Sequence, residues 1–163
     1  MRYREALLSD IPGIQRVRHA VKENILSDPA LVTDHDCAEY LTKRGKGWVC
    51  LVNGTVVGFS IADLQGHNIW ALFVDPDFEK KGVGRKLHAL MLDWYFSQTR
   101  QTVWLSTDPA SRARGFYLAA GWKEAGRYGK GEVKLEMEYS TWQQKQAPGR
   151  ETPVSGLFSR KQP

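Results

Sequence analysis

Features that mark several classes of protein are scarce or missing in this sequence. It has two cysteines in 163 residues, Cys37 and Cys50, and neither belongs to a paired motif. This usage predicts small packing residues in a reducing, cytoplasmic compartment and does not indicate a disulfide framework. No apolar run approaches the length of a membrane span, and the N-terminus lacks the apolar segment of a signal peptide. We therefore expect a protein without a membrane partner.

Strong charge of one sign is also missing. The net charge at pH 7 is +5, and the basic residues form no stripe with interleaved aromatic residues. A nucleic-acid-binding face would require such a stripe, so no nucleic-acid partner is predicted. What the chain does have is 42% hydrophobic residues and six tryptophans. At 163 residues this suffices for one domain with a proper core and is too little for two domains of ordinary size.

Residues 68–95 combine a strand, a glycine turn and a helix. Residues 70–74 (Trp-Ala-Leu-Phe-Val) form an unbroken apolar run, which predicts a strand buried on both faces. Asp75 and Pro76 end it, because proline cannot donate to a sheet ladder. A helix follows Gly82 and Gly84, and the residues of its predicted apolar stripe are Val83, Leu87, Leu90, Met91, Trp94 and Tyr95.

This strand, turn and helix together predict an anion site. The first N–H groups of a helix have no internal partner, and the helix dipole places partial positive charge there. Lys80 and Lys81 stand just before the glycines, so a phosphate is a suitable ligand. The turn is not a P-loop, since no Gly-Lys-Ser/Thr follows, and a dinucleotide fingerprint would require glycine in place of Leu87. On these residues alone, a tight turn without a ligand remains the alternative.

Turn and cap residues predict a strand and two helices before this stretch. The strand covers residues 3–8, and a helix follows from a cap at Ser9 or Asp10, with Pro12 in its first turn. The buried face of this helix is predicted to be Ile14, Val17, Val21 and Ile25, and Ser-Asp-Pro at 27–29 breaks it. Thr33 caps a second helix, with Asp36 three residues on, and Gly45 and Gly47 close it.

The remaining pattern predicts short strands, one more helix and a tail. Strands at 48–52 and 55–64 flank an Asn53-Gly54 turn, the strongest hairpin signal in the chain. A strand at 102–107 precedes a helix at 110–120, whose inward residues are Ala113, Phe116, Tyr117 and Ala120, with Gly121 at its C-terminal cap. Residues 122–128 and 132–139 form a closing hairpin. From Ser140 the composition predicts a disordered tail, so residues 1–139 are the expected domain and 140–163 the tail.

Two motifs in this order resemble those of a known family. Residues 79–84 read Glu-Lys-Lys-Gly-Val-Gly after a strand ending in Val-Asp-Pro, and residues 113–122 read Ala-Arg-Gly-Phe-Tyr-Leu-Ala-Ala-Gly-Trp. They resemble the GNAT superfamily of acyl-CoA-dependent N-acyltransferases, over about residues 2–139. Glu79 departs from the family's usual Gln or Arg. The resemblance implies an α/β fold with a mixed, strongly twisted sheet of about seven strands and helices on both faces. In that fold the central strand and the 102–107 strand splay apart around acyl-CoA.

The resemblance also implies which residues hold acetyl-CoA or another short acyl-CoA. Backbone N–H groups of the glycine turn bind the pyrophosphate, and the end of the central strand offers main-chain groups to the pantetheine and an oxyanion donor to the carbonyl. No metal is expected. The cofactor-binding residues are predicted to be Leu72, Phe73, Val74, Glu79, Lys80, Lys81, Gly82, Val83, Gly84, Arg85, Lys86, Thr107, Ala113, Phe116 and Tyr117.

Tyr117 is the main catalytic candidate. In this family the tyrosine after phenylalanine on that helix protonates the departing thiolate, and a phenol near pKa 10 is roughly matched to a thiol near 8.5. The alternative is a core tyrosine. The base stays open: several relatives carry glutamate where this chain has Asn68, and the candidates here are His67, Asp63 or a water path.

The acceptor side in this family is built by the first two helices and their connector. That region here contains Glu23, Asn24, Asp34 and Tyr40, with Asp28, His35 and Asp36 nearby. Clustered acids would attract a cationic amine, although surface helices are acidic for solubility just as often. We expect an N-acetyltransferase that acts by direct attack on a primary amine of a small molecule or peptide, as a monomer or homodimer. The alternative is a catalytically inert acyl-CoA-binding module on the same fold.

Overall fold

The computed structural model describes residues 1–21 and 32–150, with side chains as far as residue 145. Two compact units occur, Met1–Thr99 and a second from Arg100 onward. The described residues form seven strands and five α-helices, as the predicted α/β class requires. The strands are β1 (Arg2–Glu5), β2 (Gly45–Val52), β3 (Thr55–Asp63), β4 (Asn68–Val74), β5 (Val103–Thr107), β6 (Lys123–Tyr128) and β7 (Glu132–Met137). The helices are α1 (Ile11–Ala20), α2 (Asp34–Glu39), α3 (Val83–Gln98), α4 (Arg112–Ala119) and α5 (Tyr139–Arg150).

The first unit is an antiparallel sheet, in the order β1-β2-β3-β4, with helices on both faces. On one face α1 and α2 bury a core that includes Ile14, Cys37, Phe59 and Ile61. Helix α3 packs on the other face, where the Ser60 hydroxyl donates to the Leu87 carbonyl oxygen at 3.2 Å. The register shifts between Ile61 and Ala62, so that Trp70 of β4 has no partner on β3. This β-bulge lies in the strand that the sequence predicts to be central.

Strand β1 is shorter than predicted, and the cause is Asp10. Its carboxylate accepts hydrogen bonds from the Leu7 N–H at 2.7 Å and from Arg4 at 2.7 and 3.1 Å. These bonds turn the chain after Glu5 into a 3-10 turn (Leu8–Asp10), from which α1 starts with Pro12 in its first turn. The helix ends at Ala20 with Ile14 and Val17 buried as predicted, whereas Val21 is extended and half-buried. The predicted Ile25 and the break at 27–29 lie outside the described residues.

The Thr33 cap is confirmed, and the role predicted for the two glycines is wrong. The Thr33 hydroxyl accepts from the Asp36 N–H at 3.1 Å, and the Asp36 carboxylate accepts from the Thr33 N–H at 2.9 Å. After α2 the chain continues in a π-helical turn (Tyr40–Arg44) directly into β2. Gly45 is the first residue of that strand. A Cβ at Gly45 would lie 1.7 Å from the Ala62 carbonyl oxygen of β3. Close strand pairing therefore requires glycine at this position.

The apolar run of β4 predicts a strand buried on both faces, but the strand is only partly buried. Ile69 and Ala71 are buried, whereas Trp70 and residues 72–74 are half-buried. An apolar run reports which side chains are hydrophobic but not how completely other elements cover them. Residues 72–74 of this half-buried set are predicted above to contact a cofactor.

The second unit contains a three-stranded antiparallel sheet in the order β5-β7-β6, with α4 and α5. The tail prediction is wrong for its first part, because α5 occupies Tyr139–Arg150. Trp142 anchors this helix with 5% of its surface exposed, and the Arg100 guanidinium lies 4.8 Å from the centroid of the Tyr139 ring. A single buried indole in a polar sequence produces no apolar period, which is why the composition predicted disorder. Among the helices of the described ranges, none is long and apolar enough to cross a membrane.

Candidate active site

The glycine turn before α3 has the backbone geometry of an anion site. Gly82 is the N-cap of α3 with φ 84°, and Lys80 is also left-handed with φ 63°. The Lys86 N–H donates to the Gly82 carbonyl oxygen at 3.1 Å and closes the first turn of the helix. The N–H groups of residues 83–85 therefore precede the first intrahelical bond and point out of the helix end. A 16-residue helix adds its dipole at this point.

The side chains around this turn add positive charge. Lys80, Lys81, Arg85 and Lys86 are all exposed, and the first turn of α3 contains no acidic residue. Glu79 is half-buried and follows a 3-10 turn (Pro76–Phe78). Val83 is buried, and Gly84 is half-buried as the second residue of the helix. These features suit a phosphate group; that it is the pyrophosphate of acyl-CoA stays a prediction.

The end of β4 presents the strand residues predicted to bind the cofactor. Leu72, Phe73 and Val74 are half-buried, and the Asp75 N–H donates to the Val57 carbonyl oxygen at 2.8 Å where the strand ends. The Trp70 bulge lies two residues before Leu72. Bulges release backbone groups from the ladder and re-aim side chains, which is why they occur next to active sites.

Asp63 is buried in the β3–β4 turn and is fully engaged there. Its side chain is 2% exposed and forms an ion pair with Arg44 at 2.8 Å. It also accepts hydrogen bonds from the N–H groups of Gln65 and Gly66 at 3.1 and 3.0 Å and from the Asn68 amide at 3.1 Å. A carboxylate with four donors positions this turn well, but taking up a proton would disrupt those bonds. The arrangement therefore argues against Asp63 as the base.

His67 lies in the same turn, with a left-handed φ of 57°, and is half-buried. Its Nδ1 lies 2.9 Å from the Tyr95 hydroxyl on α3. The tautomer decides what the ring can do: only if Nδ1–H donates to Tyr95 does Nε2 keep a lone pair for a proton. The pKa of Tyr95 is raised to about 12, mainly by burial and then by the charge of Asp63. The sequence placed Tyr95 on an apolar stripe and offered no signal for this pair.

In the second unit, Tyr117 is the buried residue of α4, with 6% of its surface exposed. The rings of Phe116 and Trp122 lie edge-on to it, each with centroids 5.3 Å away. Burial raises the pKa of Tyr117, so its hydroxyl keeps its proton at neutral pH. Ala113 and Phe116 are half-buried, as is Thr107, whose hydroxyl lies 3.1 Å from that of the α4 cap residue Ser111.

The predicted acceptor residues separate into three cases. Glu23 and Asn24 lie outside the described residues. Asp34 is exposed at the start of α2 and accepts a hydrogen bond from Gln15 at 3.3 Å. Tyr40 packs against the sheet, where its ring is stacked on that of Trp70 with centroids 4.1 Å apart and planes at 9°.

One residue near Tyr40 and Trp70 was missed by the sequence reasoning. Arg18 of α1 is 6% exposed, and its guanidinium lies 5.1 Å from the Trp70 ring and 5.0 Å from the Phe73 ring. An arginine in an amphipathic helix normally indicates a solvated face, so the pattern offered no reason to single it out. The contact joins residues more than fifty positions apart in the chain.

Nothing in the described part of the chain resembles a metal centre, since no three His, Cys, Asp or Glu side chains lie together there as ligands. Cys37 in α2 and Cys50 in β2 are both buried free thiols. Burial raises the pKa of each thiol, which makes a thiolate nucleophile unfavourable at neutral pH. Both cysteines therefore behave as packing residues, as their sequence context predicts.

Comparison with known proteins places this geometry in context. The sequence model of the acetyltransferase (GNAT) family matches residues 14–122. A search of curated proteins finds no match.

Solved structures share the fold. They include the ribosomal-protein-S18-alanine N-acetyltransferase of Escherichia coli (18% identity, 85% of this chain and 93% of that one, TM-score 0.69). The PaiA N-acetyltransferase of Thermoplasma acidophilum in complex with coenzyme A matches with 15% identity over 85% and 98% of the two chains, at a TM-score of 0.74. An N-acetyltransferase of Staphylococcus aureus Mu50 has 17% identity, 85% and 98% coverage and a TM-score of 0.69. These likenesses confirm the fold expected from the sequence.

Proposed function

Since the chain belongs to the acetyltransferase (GNAT) family, we propose that it transfers an acetyl group from acetyl-CoA to a primary amine by direct attack in a ternary complex. Acetyl-CoA supplies the acetyl group as a thioester. The chain's own residues hold both substrates together, which by itself contributes several kcal/mol to the rate. The acceptor is an amine of a small molecule or a peptide.

The observation that carries this proposal is the turn before α3. Left-handed Gly82 leads into a long helix whose first N–H groups precede its hydrogen-bond ladder, and exposed Lys80 and Lys81 lie beside it. A diphosphate requires several N–H donors and positive charge in one place, and this turn provides both. Half-buried Phe73 and Val74 at the end of β4 have main-chain groups suited to the amide-containing arm of the cofactor.

Tyr117 is the proposed general acid. Burial raises its pKa, so the phenol is protonated at neutral pH and can donate its proton to the thiolate as it leaves. His67 is the proposed base in the tautomer that donates from Nδ1 to Tyr95, with a water path as the alternative. Asp63 is left out, because Arg44 and three other donors occupy its carboxylate. Cytoplasmic localisation and the oligomeric state stay predictions from the sequence.

Gly84→Asp tests the anion site. The substitution places a negative charge at the second residue of α3, where the diphosphate would be bound. We expect the Kd for acetyl-CoA, measured by calorimetry, to rise roughly a hundredfold, about 2.7 kcal/mol, while the melting temperature is preserved. Gly84→Ala is the matched control, because it adds the Cβ without the charge and favours the helix.

Two results would contradict the proposal in different ways. If Gly84→Asp binds acetyl-CoA as tightly as the wild type, the site lies elsewhere. If the wild type binds acetyl-CoA but releases no free thiol with any amine of a broad panel, the protein is the inert acyl-CoA-binding module. Thiol release is followed with a thiol-reactive dye.

A further inference from the structure

Arg18 is a buried cation in an aromatic environment. It lies on α1 with 6% of its surface exposed, and its guanidinium carbon is 5.0 Å from the Phe73 ring centroid, 5.1 Å from that of Trp70 and 5.8 Å from that of Phe59. These rings contact the cation through their faces, and a desolvated cation–π contact is favourable. Ring faces offer no acceptor to the N–H groups at the edge of the guanidinium.

Two of those edge atoms are unsatisfied. Nε and Nη2 of Arg18 are buried and have no hydrogen-bond partner among the described residues. Nor do the ion pairs of this part of the chain include Arg18. Each buried donor left without a partner costs free energy, so native proteins retain few of them.

Nε and Nη2 together form the side of the guanidinium that matches a carboxylate. The same chain shows this use, since Arg114 directs its Nε and Nη2 to the Glu124 carboxylate. At Arg18 the same pair of donors is buried and has no partner among the described residues. An apolar side chain of similar length would pack against these rings without burying a charge, so packing alone does not explain an arginine here.

The aromatic residues around Arg18 differ in how completely they are buried. Phe59 is fully buried, whereas Trp70, Phe73 and Tyr40 are half-buried, and Tyr40 is stacked on Trp70. Phe73 belongs to the end of β4, beside the main-chain groups assigned above to the acyl donor. Aromatic faces and one buried guanidinium edge without acceptors on Nε and Nη2 suit a small organic acid.

We propose that Arg18 binds a carboxylate of the substrate, so that one of the two molecules joined by this enzyme is a carboxylic acid held against Trp70 and Phe73. The inference rests on the proposed acetyltransferase function and adds the substrate class. The carboxylate belongs either to the amine acceptor, as in an amino acid, or to the acyl group, as in a dicarboxylic acyl-CoA. Both sources present the same group to the same fork. The acidic residues 34 and 36, by contrast, lie at the exposed start of α2 or form its capping box.

The experiment compares substrates that differ only in the carboxylate. In the acceptor arm, amino acids are paired with their carboxamides and decarboxylated amines, with acetyl-CoA as the donor. In the donor arm, succinyl-CoA is compared with acetyl-CoA on a neutral amine. We expect kcat/KM to favour the carboxylate member of the pair in one arm by tenfold to a hundredfold. Arg18→Met should abolish that preference, so that kcat/KM becomes the same for the carboxylate and the uncharged member of the pair. Arg18→Lys should restore it only in part, because an ammonium has no bidentate fork.

Thermal unfolding without substrate separates this role from a structural one. Arg18→Met removes an unsatisfied buried charge and keeps contacts with the rings, so the melting temperature should stay equal or rise. Arg16→Met is the matched control on the same helix, since Arg16 has partners in Asp75 and the Val56 carbonyl. It should lower the melting temperature slightly and leave the carboxylate preference intact.

The proposal is overturned if the wild type shows no carboxylate preference in either arm, or if Arg18→Met keeps the preference. A melting temperature that falls in Arg18→Met with unchanged substrate selectivity would also overturn it, because Arg18 would then be structural. If no panel amine is acetylated, calorimetry with the same pairs in the presence of coenzyme A decides, and carboxylates that bind no tighter than carboxamides refute it. Failure of the acetyltransferase function itself would appear separately, in the Gly84 variants and acetyl-CoA binding.

Discussion

At the scale of the residue, Tyr117→Phe tests the proposed acid. The ring and its contacts with Phe116 and Trp122 remain, and only the proton donor is lost. Turnover should fall by a factor of roughly a hundred or more, as for a lost general acid, while acetyl-CoA affinity hardly changes. Stopped-flow or steady-state thiol release measures the first quantity and calorimetry the second.

The melting temperature of the same variant distinguishes the alternatives. A core tyrosine predicts a lower melting temperature with normal turnover in the folded protein. An inert module predicts no turnover in either protein. Full activity in Tyr117→Phe would remove this residue from the mechanism.

At the scale of the element, α5 is expected to contribute to stability, although its sequence is polar. Trp142 is its buried side chain among the described residues 139–145, and Lys145 extends along Gly121, where a Cβ would meet the Lys145 Cδ at 2.7 Å. Trp142→Ala should lower the free energy of unfolding by about 3 kcal/mol, which corresponds to a fall of roughly 6–12 °C in melting temperature. Differential scanning calorimetry provides both values.

Two controls bracket this effect. Gln143→Ala changes an exposed neighbour on the same helix and should have no measurable effect on stability. A chain ending at Arg150 should melt within a few degrees of the full-length protein, whereas one ending at Glu138 should lose as much as Trp142→Ala or more. Equal melting temperatures for the two truncated chains would show that α5 contributes nothing.

At the scale of the whole molecule, His88 predicts how stability depends on pH. It is 3% exposed on α3, and burial lowers its pKa from 6.5 to about 4. The unfolded chain therefore binds a proton between these values that the folded chain excludes. The free energy of unfolding therefore has its full value above pH 6.5 and decreases as the pH falls towards 4, by about 3 kcal/mol in total.

Urea unfolding at pH 7 and at pH 5 measures this dependence. His88→Gln cannot titrate, so the difference in unfolding free energy between the two pH values should shrink. His35→Gln is the matched control for the same substitution at an exposed histidine, since the His35 side chain is 81% exposed. An undiminished difference in His88→Gln would assign the acid sensitivity to other groups.

The sequence by itself determined the structural features that depend on neighbouring residues along the chain. The Thr33 and Asp36 capping box and the glycine turn before α3 arise within a few residues, and both were predictable. The stripe predicted for that helix is right in part: Val83, Leu87, Met91 and Tyr95 are buried, Leu90 and Trp94 are half-buried, and the buried His88, Leu92 and Phe96 were not predicted. Two motifs in order were sufficient to recognise the family and its fold. The element order was predictable for the same reason, with boundaries that shifted by a few residues.

Only the tertiary structure decided which distant side chains meet. The pairing of His67 with Tyr95 spans 28 positions, the ion pair of Arg44 with Asp63 spans 19, and the rings around Arg18 come from two strands much later in the chain. Burial of Trp142 likewise depends on packing. Periodicity describes the face of one element, whereas the chemistry of a buried polar group depends on what other elements place against it. The sequence therefore predicts the anion-binding turn, which is local. The aromatic surroundings of Arg18, on which the proposed carboxylate site depends, are visible only in the tertiary structure.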